Sequence, residues 1–355
     1  MFLTRIELEN FRNYSKLEIN LNKNLVLLLG DNASGKTNFI ESIYFLSRLC
    51  SFRAPNQFLV KAGRTHFSIY GEAQNIKMEA VLQIEPVAKT GLKINGQKIA
   101  KTSWNSFLTV TFLPSDLNMF TLGPSARREF LNEALTQKSK IYMTDLISLS
   151  HVLKQRSSLF EQIFKNESEE SELFFWDQQL ADLSVKISNE RGRYLEYIQE
   201  RFDQAHKNLT DFNTEFKIEY KSSAFGKTAD EFMEILKLGR QAEIRSGQNL
   251  YGSHRDDFTI NKDGQLNVYN SSRGELRSQV LVLKLLQTEY LSQKDKKPII
   301  LLDDVFSELD EIRRTKLIES LPEHQIFITT TEEHHLPHLN HSAQVLKIKD
   351  NIIEM

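Results

Sequence analysis

The chain of 355 residues has a single cysteine, Cys50, so no disulfide can close within it. That suits a reducing compartment, and a cytoplasmic location is the expectation. No apolar run approaches the ~20 residues of a membrane span, which excludes a spanning role and leaves no membrane partner expected. The opening, "MFLTRIELENFRNY", alternates charged and apolar residues and lacks the apolar centre of a secretory signal. Net charge is only -2. The chain as a whole therefore has no charge signal for nucleic acid, and any such contact must come from a local patch. No repeat with a period of about 20–50 residues is apparent, and the helical pattern is too irregular for a long coiled coil.

What is present is an ordinary globular composition, 40 % hydrophobic and 26 % charged, on a chain long enough to bury a large core. "RIELE" and "LEINL" alternate with the period of half-buried strands, with "NFRNY" as a turn between them. "LVLLL", Leu25 to Leu29, does not alternate, which suits a strand buried on both faces of a parallel sheet. Beyond the next loop, Phe39, Ile43, Leu46 and Leu49 recur at helical spacing. Residues 66 to 113 return to β character as an antiparallel patch, with Asn95-Gly96 as a type I′ hairpin signal. Residues 124–210 read as helical, broken by the polar, acidic turn "KNESEESE" from Lys165 to Glu172. β character resumes at "FKIEYKS" and "DDFTINKDGQLNVYN"; a strong helix follows at "SSRGELRSQVLVLKLLQTEYL", then the apolar run Ile299 to Leu302 and "HQIFITTTEE". The expected organisation is one discontinuous α/β domain, 1–123 with 211–355, carrying a helical lobe inserted at 124–210.

Gly30, Gly35, Lys36 and Thr37 match G-x-x-x-x-G-K-[ST] between the apolar run and the helix. Glycines let backbone N–H groups approach phosphate oxygens, and the helix presents its positive end to the anion. Lys36 is expected at the β- and γ-phosphates and Thr37 on Mg²⁺. "IILLDDVFSELD" puts Asp303 and Asp304 at the end of a buried strand, where two carboxylates are costly without a task. Asp303 is expected to hold Mg²⁺. Asp304, pointing the other way by strand alternation, is expected to orient the attacking water. Ser272 and Gly274 open the long helix about 30 residues earlier, a second anion-binding helix end. One γ-phosphate does not need two such ends in one chain; a second copy would supply the other. A plain N-cap serine explains the same residue.

These three motifs in this order resemble the ABC-type ATPases of the chromosome-maintenance branch. "NFRNYSKLEINL", "GDNASGKTNFIESIYFLS", "LPSDL", "GPSARREFLN", "GSHRDDF", "SRGELRSQVLVLKL" and "LLDDVFSELDEIRR" together resemble the RecF family of bacterial recombination-repair proteins, over residues 1 to about 331. The resemblance implies an ABC-type ATPase head, with a P-loop parallel sheet, an antiparallel β subdomain and the inserted helical lobe. It implies an ATP site of Gly30, Asp31, Asn32, Ala33, Ser34, Gly35, Lys36, Thr37 and Asn38, with Arg12 from the opening. It implies Thr37 and Asp303 on Mg²⁺, Asp304 as catalytic group, and Ser272, Arg273 and Gly274 as a signature acting in trans. It also implies an ATP-dependent homodimer at single-strand gaps that helps load recombinase with RecR and RecO, linked to the SOS response, with slow hydrolysis as a release timer. Ser253, the "PSD" segment and Glu275 depart from the family pattern; Glu275 adds negative charge beside the phosphate the signature would meet. Thr329 to Thr331 fall where transporters keep a switch histidine, and His334 and His335 lie a turn later, as surface histidines.

Acids are absent from Ser42 to Tyr70, where Arg48, Arg53, Lys61 and Arg64 stand, and from Pro86 to Ser115, where Lys89, Lys93, Lys98 and Lys101 stand. Such segregation fits a phosphate-backbone footprint, hence sequence-independent DNA binding; a solvated basic face is the plainer reading. The residues also leave open a small-molecule P-loop kinase, a transporter-type ATPase subunit and a DNA-binding module whose ATP site is vestigial.

Overall fold

The structure, a computed structural model, describes residues 2–101, 104, 106–262, 265–266, 271–331, 343–349 and 352–354. Strands β1 (Leu3–Phe11), β2 (Tyr14–Asn20) and β3 (Leu25–Leu29) lead into helix α1 (Lys36–Arg48). Strands β4 (His66–Ala73), β5 (Ile76–Gln83), β6 (Lys89–Ile94), β7 (Gln97–Lys98) and β8 (Thr109–Phe112) follow. Next come helices α2 (Pro124–Lys138), α3 (Lys140–Phe164) and α4 (Leu173–Thr210), strand β9 (Phe216–Lys221) and helix α5 (Ala229–Ser246). Strands β10 (Asp257–Lys262) and β11 (Gln265–Leu266) precede helix α6 (Arg273–Leu291), strand β12 (Ile299–Asp303) and helix α7 (Glu311–Glu319). Strands β13 (Ile326–Thr330), β14 (Gln344–Lys349) and β15 (Ile352–Glu354) close the chain. No helix among the described residues is long and apolar enough to cross a membrane. His334 and His335 lie outside the described residues.

The chain divides into two compact units, Met1–Ser115 with Gln287–Met355, and Asp116–Leu286. The first unit holds two six-stranded sheets. One has the order β15-β14-β3-β13-β12-β8, parallel except for its β15 edge. β12 and β13 are buried at every position, as unalternating apolar runs require. The other sheet is antiparallel, β2-β1-β4-β5-β6-β7, and β4 alternates strictly between core and solvent. The β6–β7 turn has positive φ at both Asn95 (51°) and Gly96 (79°), as a type I′ turn demands.

Helix α1 touches strands of both sheets, and Phe39, Ile40, Ile43, Phe45 and Leu46 are all fully buried. Glu41 and Ser42 are fully buried as well, so the helix is enclosed on more than its apolar face. Phe45 and Phe11 both meet the ring of Phe67 edge-on, at 5.0 and 5.1 Å. This packing fixes the start of α1, and with it the loop before it. One strand departs from expectation. β8 lies in the stretch read as antiparallel, yet it pairs in parallel with β12. Its "TVTF" is buried throughout, so it lacks the alternation that a half-exposed sheet would impose.

The second unit packs α2 to α5 with the three-stranded sheet β11-β10-β9. Helix α5 was not anticipated, although its start is legible. The Thr228 hydroxyl accepts from the Glu231 N–H while the Glu231 carboxylate accepts from the Thr228 N–H, a capping box. Buried charges knit the unit together. Arg156 on α3 donates to Asp177 on α4 at 2.7 Å and to Glu243 on α5 at 2.8 Å, so none of the three is left uncompensated. The "GSHRDDF" segment serves as another tie. Asp256 accepts from Ser188 and Arg191 on α4 and from Tyr220 on β9, and Asp257 accepts twice from Arg127 on α2.

Candidate ATP site

The ends of β3, β12 and β13 align because all three strands run in parallel. Leu28 sits opposite Thr329, and Thr329 opposite Asp303. Ligands bind beyond such carboxyl edges in open α/β sheets. The loop from Gly30 to Gly35 springs from this edge. Gly30 has to be glycine because a Cβ there would lie 2.3 Å from the Ile348 carbonyl oxygen. Gly35 adopts φ 112°, and a Cβ would press on Asn13 and Tyr14 at 2.8 Å. Asn13 and Tyr14 form the wall that shapes the loop's exit. The Tyr14 hydroxyl donates to the Gly35 carbonyl at 3.0 Å, and Asn38 donates to the Asn13 side chain at 2.6 Å. No side chain caps the N-terminus of α1 and no acid stands in its first turn, so its N–H groups face the loop as an anion-binding end.

Lys36 folds back into the loop, its Nζ donating to the carbonyls of Gly30 at 2.6 Å and Asp31 at 2.8 Å. Burial lowers this ammonium below its ordinary value, while Asp304, Asp303 and Asp31 pull it back up. The Ser34 hydroxyl is buried without a hydrogen-bond partner among the described residues, so the cradle has an unused donor. The Thr37 hydroxyl donates to Asp303 Oδ1 at 2.9 Å, across 266 residues of sequence. Thr329 Oγ1 donates to the same oxygen at 2.9 Å and accepts the Asp304 N–H at 2.8 Å. Burial raises the Asp303 carboxyl above its ordinary range, against the hydrogen bonds from Thr329 and Thr37. A divalent cation would reverse that. The donor set of one hydroxyl and one carboxylate oxygen suits Mg²⁺, which takes few protein ligands and completes its shell with water and phosphate. Among the described residues no cluster of three or more His, Cys, Asp or Glu could hold a metal unaided.

Asp304 is not part of the strand alternation. β12 ends at Asp303, and Asp304 turns out of it with φ 51°, opening the short 3₁₀ turn Val305–Glu308. Its side chain is exposed at the edge of the site.

The largest feature missed by reading along the sequence is Glu41. It is fully buried on α1, and Arg12 donates to both its oxygens at 2.8 Å. Arg53 also donates to both, at 3.1 and 2.8 Å, and Ser51 to one at 2.5 Å. Arg53 further bonds Asn38. Arg12, Asn13, Asn38, Arg53 and Phe58 line an open groove of about 650 Å³ next to the loop. Two guanidiniums on one carboxylate leave a surplus positive charge there, suited to a phosphate-bearing ligand. The lone acid beside the acid-free stretch was the available signal. Burial would push the Glu41 carboxyl up, but the hydrogen bonds from Arg12, Arg53 and Ser51 outweigh it and hold it below its ordinary 4.5. Its stabilisation is therefore complete above that value and is lost as pH falls through the lower folded one. Glu41→Ala is expected to cost about 3 kcal/mol in urea unfolding at neutral pH, because it strands two arginines. A loss under about 1 kcal/mol would show that the pairs are no stronger than surface contacts.

The other basic residues fall into separate places. Lys61 donates to the Asn13 carbonyl at 2.7 Å, Arg48 stands in the last turn of α1, and Arg64 is exposed. Lys89 and Lys93 share one face of β6, and Lys93 sits directly opposite Lys98 on β7. Such a like-charge pair is unfavourable unless something anionic faces it; Lys93 is partly relieved by Glu79 at 2.8 Å. Lys101 is exposed beyond β7.

Ser272, Arg273 and Gly274 lie in the second unit, at the start of α6. The Ser272 hydroxyl accepts the Glu275 N–H at 3.2 Å, and the Ser272 N–H donates to Glu275 Oε2 at 2.7 Å. The segment is thus a capping box. Lys262 donates to the other Glu275 oxygen at 2.8 Å; that bond and the one from Ser272 push the carboxyl down to about 2.

A P-loop between β3 and α1, an acid at the end of β12, one strand removed from β3 in the same parallel sheet, and a flanking antiparallel sheet define the head fold of ABC-type ATPases. The head of an SMC protein solved with the C-terminal winged-helix domain of ScpA shares this fold, with TM-score 0.56 at 14% identity over 100% of this chain and 97% of that one. The family model described as RecF/RecN/SMC N terminal domain matches residues 2–354. The DNA replication and repair protein RecF of Streptococcus suis (strain 05ZYH33) is 34% identical, covering 98% of each chain. RecF of Lachnoclostridium phytofermentans is 33% identical, covering 93% of each. A solved structure of the recombination mediator protein RecF with ATP superposes with TM-score 0.88 at 30% identity, over 99% of this chain and 97% of that one. The chain belongs to the RecF family of the RecF/RecN/SMC N-terminal domain group.

Proposed function

We propose that this protein is an ATP-dependent DNA-binding protein of recombinational repair and replication maintenance, acting in the cytoplasm as an ATP-bridged homodimer. The observation that carries the reading is the convergence of the Lys36 ammonium, the Thr37 hydroxyl and the Asp303 carboxylate at one uncapped helix end. The loop N–H groups and Lys36 bind the β- and γ-phosphates, and the Arg12 groove receives the rest of the nucleotide. Thr37 and Asp303 would hold Mg²⁺, which when bound neutralises charge on the phosphates. Asp304, exposed beside them, orients the attacking water and accepts its proton. Ser272, Arg273 and Gly274 of a second copy face the γ-phosphate. Slow hydrolysis then releases the dimer. The nucleotide-holding head is built on Met1–Ser115 with Gln287–Met355, and the helices of 124–210 belong to the inserted unit, Asp116–Leu286.

Arg48, Lys61, Arg64, Lys89, Lys93, Lys98 and Lys101 contact DNA at single-strand gaps through its backbone, independently of sequence, while Arg53, held on Glu41 and Asn38, serves the nucleotide groove. The solved RecF–ATP relative is described as a mediator in the RecFOR pathway. That supports RecO and RecR as partners; recombinase loading and a place in the SOS response are further parts of the proposal.

Light scattering after size exclusion tests the reading: mass doubles with ATP and not with ADP. Asp304→Asn keeps the shape and removes the base. It is expected to bind ATP normally, hydrolyse it about a hundredfold or more slowly, and accumulate dimer. A variant that hydrolyses ATP at the parental rate would place the base elsewhere. A chain that stays monomeric with ATP would remove the ATP-bridged dimer from the reading.

A further inference from the structure

The turn joining α3 to α4 exposes three large aromatics: Phe164 at the end of α3 (68% exposed), and Phe174 and Phe175 at the start of α4 (59% and 57%). Where α3, α4 and α5 meet, Leu159, Phe160, Leu173 and Ile244 form a small core against which Trp176 packs. Exposed apolar groups grouped this way mark interaction sites. Around them stand Glu161, Glu167, Glu169, Glu170 and Glu172, all exposed, against one base, Lys165, already paired with Glu161. The turn is held in shape by the capping box between Glu169 and Glu172 and by Gln241 of α5 donating to Glu170 at 2.8 Å. Phe164 also walls an open groove of about 590 Å³. That groove's charged lining is Lys154, Glu161 and Arg245, so the acidic character comes from the turn.

We infer that this tip is a docking site for a basic, amphipathic segment of another protein, whose apolar side chains cover Phe164, Phe174 and Phe175 while its lysines or arginines face the glutamates. Charge decides among occupants. Nucleic acid and anionic membrane would be repelled by the acids. Two copies meeting tip to tip would oppose like charges, which disfavours that pairing.

The test uses the full chain with Trp104→Phe, so that Trp176, 5.1 Å from the Phe175 ring, is the only indole present. The probe is a synthetic amphipathic helix of lysine and leucine. Saturable one-to-one binding with a shift in Trp176 emission is expected. Phe174→Ser with Phe175→Ser should weaken it at least tenfold with ATP binding unchanged, as should Glu167→Gln with Glu170→Gln, which leaves the capping box intact. A peptide of equal charge with serine for leucine should bind at least tenfold more weakly. Binding unaffected by the phenylalanine changes would reduce the tip to non-specific charge adhesion and overturn the inference. So would duplex DNA or phosphatidylserine vesicles binding in a way the same changes abolish, or self-association without peptide that they remove.

Discussion

Lys36→Ala is expected to weaken ATP binding by about a hundredfold or more. In this structure the ammonium hydrogen-bonds the carbonyls of Gly30 and Asp31, within a loop whose shape is set by Gly30, Gly35 and the Tyr14 wall. A γ-phosphate entering the loop offers it charged oxygens instead. Charge-assisted hydrogen bonds contribute roughly 1.5–3 kcal/mol each, and two of them account for the expected loss. Loop collapse is a weak alternative, because the α1 core behind it holds the helix start independently of Lys36. Equilibrium titration with a fluorescent ATP analogue, alongside urea unfolding, separates the two: affinity should drop while stability stays within about 1 kcal/mol. Affinity within twofold of the parent would remove Lys36 from the phosphate site.

Ser272→Arg is expected to abolish ATP-dependent dimerisation while the monomer still binds ATP. The capping box makes this a demanding test, because Ser272 already has a local task. If that were all it did, the substitution would cost about 1 kcal/mol of stability and nothing else. If the helix end meets a phosphate held by another chain, arginine obstructs the approach. DNA affinity then loses its ATP dependence, since two basic faces no longer bind together. Mixing Ser272→Arg with Lys36→Ala chains distinguishes the cases. One composite site carries both defects and the other neither, so the mixture should dimerise in part although each variant alone does not. Normal dimerisation by Ser272→Arg alone would leave Ser272 as a cap only. Glu275 must yield its bond to the Ser272 N–H for a phosphate to take its place, and Lys262 is positioned to hold the displaced carboxylate.

The sequence by itself determined whatever is local. The glycine spacing around Lys36, the buried runs at Leu25–Leu29 and Ile299–Asp303 and the alternation in His66–Ala73 follow from backbone geometry and period, which act over a few residues. The serine–glutamate cap on α6 has the same origin. Tertiary structure decided what depends on strand order. That β8 joins the parallel sheet, and that Thr329 holds Asp303 and receives the Asp304 N–H, follow from which strands become neighbours, and no periodicity encodes it. Asp304 looked like the next step of a strand, but a left-handed backbone turns it outward where pairing with β13 ends at Thr329. Glu41 shows the reason most plainly. Along the sequence it is one acid in an amphipathic helix; folded, it is a fully buried charge between Arg12 and Arg53, which lie 29 residues before and 12 after it. A buried carboxylate persists only where distant cations reach it, and that distance is closed by the packing of α1 between two sheets.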